Sequence, residues 1–274
     1  MLIRIVSSVV AIGIATVVFL LHNTIVFNLA IGAISALAIY EIFNASGKVK
    51  FKVQCGLCLG YAVVDAVMPF FHAKGWLTFL TNRLYFGLLI LVMFFLYLRN
   101  YKKYTFFDLF FMLAITILIP YSFGTIIYMS MLDHGVFLIV ITLCAAWLAD
   151  TGAYFAGTFF GKTKLCPKIS PKKTVEGFVG GIISNGVFLL LIGIIYQNWK
   201  GVDLNLIMLF VAGLVAAPIS VLGDLTASEI KRQCDIKDYG KIMPGHGGVM
   251  DRFDSVLLVA PFMYYLILQG LIIK

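Results

Sequence analysis

Apolar runs the length of a membrane crossing recur along this chain, and no other feature limits its fold so strongly. A spanning helix needs about 20 mostly apolar residues, and about nine such runs lie near residues 5–21, 24–44, 53–72, 82–98, 106–130, 134–158, 175–197, 204–224 and 253–272. Of the 274 residues, 61% are hydrophobic and 12% charged. No soluble domain of this size hides that much apolar surface. The expected fold is an all-α polytopic integral membrane protein, because helices satisfy their own backbone groups inside lipid. Asp65, Pro69 and Pro120 interrupt two of the runs. Arg4 precedes the first run as in a signal peptide, but no small-residue cleavage site follows, so this run reads as a retained helix.

The basic residues set the expected orientation. With the N-terminus in the cytoplasm, Arg4, the lysines of 48–52, Arg99, Lys102, Lys103, the lysines of 162–173, Lys231, Arg232, Lys237, Lys241 and Arg252 all fall on one side. Lys74, Arg83, Lys200 and Lys274 fall on the other. That bias marks the crowded side as cytoplasmic and puts the C-terminus outside. The net charge of +8 therefore belongs to topology and to acidic lipid or acidic solutes, not to nucleic acid. Cys55 and Cys58 form a C-x-x-C inside an apolar run with no second pair or His nearby, and read as small buried residues.

Against this background, residues 223–254 form a polar island. Asp224 ends an apolar run, and positions 224, 228 and 231 share one helical face, so Asp224, Ser228 and Lys231 point the same way, with Arg232 beside them. The following loop carries Lys237, Pro244, Gly245, His246, Gly247 and Gly248, where glycines let backbone N–H groups approach a ligand. Asp251, Arg252 and Asp254 open the final run. A single Asp at a helix start is explained by the macrodipole. Several carboxylates sharing a segment with His and cations point instead to metal and phosphate. Mg²⁺ takes one or two carboxylates plus substrate phosphates, and Lys and Arg bind the phosphates. Asp224 and Asp251 are the first metal candidates, with Asp254 and Asp150 next.

A second polar stretch runs from Asp150 to Phe178. Asp150 and Tyr154 share a face near the apolar part of their run, where a charge needs a partner. Gly157 and Gly161 allow close packing. Ser170, Lys172, Lys173 and Thr174 lie in SPKKT, followed by Glu176 and by Gly177, Gly180 and Gly181. Hydroxyls, ammonium groups and a helix start make an anion site; the plainer reading is a basic loop in which Thr174 caps the next helix. It is no Walker A loop.

Ser228, Lys231-Arg232, Lys237-Asp238, Gly240, Pro244, His246-Gly247-Gly248, Asp251-Arg252 and Asp254, with Asp150, Ala153-Tyr154, Gly161-Lys162 and SPKKTVEG upstream, resemble the bacterial phosphatidate cytidylyltransferase (CDP-diacylglycerol synthase) family. The likeness covers the C-terminal half; Met243 stands where that family has Leu, Ile or Phe. It implies transfer of CMP from CTP to phosphatidic acid with Mg²⁺, a second, monovalent cation staying open. The catalytic set is then Asp224, Lys231, Arg232, His246, Asp251, Arg252 and Asp254. Ser170, Lys172, Lys173, Thr174, Ser228, Lys237, Gly247 and Gly248 would bind substrate phosphate, and Asp224, Asp251, Asp254 and Asp150 metal. The expected location is the bacterial inner membrane, with the site facing the cytoplasm. One membrane domain, 1–274, would comprise scaffold helices in 1–140 and a catalytic half in 141–274, with cytoplasmic loops 159–175 and 225–252. A homodimer through the small residues stays open. Two rivals remain: a transporter using Asp65, Asp108 and Asp150, which predicts symmetric halves that the sequence lacks, and a lipid kinase or another nucleotidyltransferase with the same phosphate chemistry.

Overall fold

A computed structural model describes residues 13–240 and 247–273. Residues 13–20 are helical. The helices that follow are α1 (Ile25–Ala45), α2 (Lys52–Ala73), α3 (Asn82–Arg99), α4 (Phe106–Ser130), α5 (Gly135–Phe160), α6 (Val175–Lys200), α7 (Leu206–Gln233), α8 (Met250–Phe253) and α9 (Val256–Leu268). Seven of these, α1 to α7, are long and apolar enough to cross a membrane. The chain is thus an all-α polytopic membrane protein. Residues 5–12 of its first expected crossing, 5–21, lie outside the described residues. α2 and α4 run unbroken through Pro69 and Pro120. The expected final crossing is interrupted: Asp254 and Ser255 form a turn, leaving α9 with 13 residues, about 20 Å at 1.5 Å per residue. Asp254 Oδ1 accepts the N–H of Ser255 at 2.7 Å, a local bond that competes with the helical ladder.

By its internal contacts the chain separates into two units, 1–131 with 236–252, and 132–235 with 253–274. In the first, α1 packs on α2 and α4, and α2 packs on α4. The core is Phe27, Ile39, Phe43, Leu109, Met112, Ile119 and Phe123, all fully buried or nearly so. Polar pairs join the helices, as small-residue membrane packing requires: Asn28 Nδ2 donates to Ala66 O at 2.7 Å, where a Cβ on Gly32 would lie 3.1 Å from that of Ala66. Thr105 and Asp108 form a capping box at the start of α4, and Lys48 pairs with Asp108. Asp65 Oδ1 accepts the hydroxyl of Tyr85 at 3.0 Å. Two acids of the transporter reading therefore have structural partners. Cys55 and Cys58 are buried in α2.

In the second unit α5 packs on α6 along a glycine seam. A Cβ added at Gly180 would lie 2.2 Å from that of Ala156, and one at Gly177 would lie 2.7 Å from Ala153 O. These small residues thus serve packing within the chain. Asn185 ties three helices together: its Nδ2 donates to Ala145 O of α5 at 3.0 Å and to Gly213 O of α7 at 2.9 Å. The loop expected over 159–175 holds a small antiparallel hairpin, β1 (Lys164–Cys166) and β2 (Ser170–Thr174). The loop expected from 225 begins later, because α7 continues to Gln233.

Candidate active site

Four chain segments of the second unit bring charge to one place. Asp150 sits just past the middle of α5, Lys173 on β2, Asp224 in the last third of α7, and Asp254 in the turn before α9. On β2, Lys173 is half-buried while Lys172 is exposed. Lys173 Nζ lies 2.6 Å from Asp224 Oδ2 and 3.6 Å from Asp150 Oδ1. Both are charge contacts, and neither is a hydrogen bond. Ser255 Oγ lies 3.4 Å from Asp150 Oδ2. α7 can approach the Asp254 turn because residue 223 is Gly: a Cβ there would meet Asp254 O at 2.6 Å.

The cluster is short of positive charge. Asp254, outside the seven crossings, is 9% exposed. Burial and then the charge of Asp224 push its carboxyl up to about 7; Asp150 adds to the rise, and Lys231 of α7 opposes it. Three acids and the ammonium of Lys173 make a site that favours an added cation. Its donors are hard oxygens, the type that Mg²⁺ takes. Among the described residues no three His, Cys, Asp or Glu side chains stand close enough to cage an ion by themselves. The donor chemistry fits Mg²⁺, and Asp150, Asp224 and Asp254 are the residues that would hold it here.

Other expected residues do different work. Thr174 Oγ1 accepts the Gly177 N–H at 3.1 Å and caps α6, the plainer of its two readings. Glu176 accepts the N–H groups of Lys162 and Thr163 at 3.0 and 3.1 Å, which places a carboxylate at that helix start. Ser170 and Ser228 are half-buried and Arg232 is exposed.

In the first unit, Lys237, Gly247, Gly248, Asp251 and Arg252 lie on the 236–252 segment. Asp251 Oδ2 accepts the N–H groups of Tyr239 at 2.8 Å and Gly248 at 3.0 Å, closing the segment on itself. Gly247 has φ of 85°, which favours glycine. His246 lies outside the described residues. Beside this segment is a cleft of about 510 Å³, lined by Tyr40, Glu41, Asn44, Lys237, Asp238 and Tyr239 among others.

Two participants carried no assignment from sequence. Ser255 showed only as the neighbour of Asp254. Glu41 stood out as an acid in an apolar run, but nothing in the sequence named its partners.

The sequence profile of the cytidylyltransferase family matches residues 2–269. The chain is 36% identical over 261 residues to the phosphatidate cytidylyltransferase of Bacillus subtilis, covering 92% of this chain and 94% of that protein. It is 30% identical over 260 residues to the enzyme of that name from Staphylococcus aureus, covering 94% and 96%. A stretch of 132 residues, 48% of this chain and 46% of the relative, is 43% identical to the Haemophilus influenzae protein of the same name.

Proposed function

This chain belongs to the cytidylyltransferase family, and on that premise we propose that its acid and ammonium cluster carries the transfer of CMP from CTP to phosphatidic acid. It is a CTP-dependent lipid nucleotidyltransferase, making CDP-diacylglycerol and pyrophosphate. The observation that carries the site assignment is the meeting of Asp150 and Asp224 on Lys173, with Asp254 close enough to feel the charge of both acids, in the second unit.

The chemistry asks for charge management. A phosphatidate oxygen forms a bond to the α-phosphorus of CTP, and the bond from that phosphorus to the bridging oxygen breaks, so pyrophosphate leaves with the electron pair. A phosphate monoester has its second pKa near 6, so the nucleophile is largely ionised at neutral pH and needs no strong base. The barrier lies in bringing two anions together, which fixed cations and positioning lower. Lys173 and Lys231 are the ammonium groups next to the carboxylates and fit contact with phosphate oxygens; Lys172 and Arg232 stand exposed nearby in sequence. Mg²⁺, held by Asp150, Asp224 and Asp254, would neutralise phosphate charge. Ser255 Oγ orients Asp150.

The Lys and Arg bias supports a site facing the cytoplasm, where CTP is found, in the inner membrane of a bacterial cell. A cysteine at position 172 should then react with a membrane-impermeant maleimide in inverted vesicles and not in intact cells.

The deciding assay uses purified protein, labelled CTP, phosphatidic acid and Mg²⁺. A labelled liponucleotide with release of pyrophosphate supports the reading, and loss of product on chelation with EDTA supports the metal. Transfer of only the terminal phosphate would assign a lipid kinase instead.

A further inference from the structure

Glu41 is a carboxylate 2% exposed in the last third of a membrane helix. A charge there is costly and persists where it has a task. Its two oxygens form a fork onto consecutive backbone groups more than 200 residues away: Oε1 accepts the N–H of Val249 at 3.0 Å and Oε2 that of Met250 at 2.8 Å. The seat is cut to fit. A Cβ on Gly240 would lie 2.2 Å from Oε1, and one on Gly248 would lie 2.3 and 2.4 Å from the two oxygens. Gly248 has no positive φ, so its lack of a side chain answers to Glu41, not to backbone conformation.

The segment it grips has little structure of its own. Among its described residues, 236–240 and 247–252, the first turn of α8 is the one helical piece, and the ties include the two bonds to Asp251 and that from the Arg252 N–H to Val249 O. Yet the segment carries Lys237, Gly247, Gly248, Asp251 and Arg252. We propose that Glu41 is a positioning residue that fixes residues 247–252, and through them Gly247, Gly248, Asp251 and Arg252, the groups expected to handle the nucleotide. The kinetic part of this inference rests on the cytidylyltransferase reading; the anchoring part does not. Both Glu41 oxygens are engaged by amides, so it acts through the segment and not on substrate. Gln keeps one acceptor oxygen but turns an NH₂ toward an N–H donor, and Asp is one methylene too short to reach.

The test is a double-mutant cycle on the full-length protein with two readouts: amide hydrogen exchange of peptides over 247–253, and KM for CTP against KM for phosphatidate. Glu41→Ala and Gly248→Ala should each speed exchange about tenfold or more. Each should also raise KM for CTP about tenfold, with KM for phosphatidate within about twofold. The double variant should be no worse than the poorer single, because each removes the same seat. Glu41→Gln, the safer variant for folding, should fall between wild type and Ala. Asn28→Ala, which removes a different bond from the same helix, should leave both readouts unchanged. Additive effects, or unchanged exchange in both Glu41 variants, would overturn the proposal. Coupled exchange effects in a protein that does not turn over CTP would instead keep the anchor and reject the reaction.

Discussion

The two units hold their carboxylates in opposite ways. In the second, Asp150 and Asp224 share the ammonium of Lys173, and Asp254 feels the charges of Asp224, Asp150 and Lys231. In the first, Glu41 and Asp251 are each met by two backbone N–H groups. A carboxylate met by amides is held by groups that are part of the chain. A carboxylate beside other acids is open to a cation from outside. The comparison sets the proposed reaction cluster apart from the backbone-held acids, although Asp224, Asp251 and Asp254 stand in one stretch of sequence.

The contrast is most exposed to test at Asp224. Asn has the same shape without the charge, so Asp224→Asn should lower liponucleotide formation about a thousandfold while the protein stays folded in detergent. Turnover within tenfold of wild type would break the assignment. Lys173→Met should lower turnover about a hundredfold and also lower the melting temperature, since it leaves the carboxylates without their cation. Among the backbone-held acids, by contrast, Asp251→Asn retains an acceptor oxygen for Tyr239 and Gly248. Exchange over 247–253 should stay within about twofold, while Asp251→Ala should speed it about tenfold.

Asp254 offers a smaller, pH-dependent contrast. Its folded carboxyl is raised to about 7, above an unfolded value near 4. The native state therefore binds the proton better, and the stability this lends is full below about 4 and lost as pH rises to about 7. With chelator present, wild type should lose melting temperature over that window relative to Asp254→Asn; parallel curves would remove the raised carboxyl. The smallest effect is expected at Asp108→Asn. The pair with Lys48 and the capping box lie outside both sites, so turnover should change by less than about threefold.

Much of this could be read from residue order. The crossings at 24–44, 82–98 and 106–130 fall within a few residues of α1, α3 and α4, because a membrane helix needs only length and apolarity. Asp150, Lys173, Asp224 and Asp254 stood out because a charge in such a chain needs a partner. Other features depend on contacts that one-dimensional patterns do not carry. The turn at Asp254 and Ser255 sits in a run apolar enough to pass for a crossing. SPKKT reads as a loop in the sequence and becomes a strand when β1 pairs with it. Gly248 looks like a phosphate-loop glycine until Glu41 is placed against it.

The sequence alone thus determined the solvent, the helical class and the chemistry, since these follow from residue type and from spacing along one helix. Only the tertiary structure decided which acids are shared and which are clamped. That depends on partners brought from Asp150, Lys173 and Glu41 across the chain, and on whether a charge is answered by a backbone amide or left for a ligand.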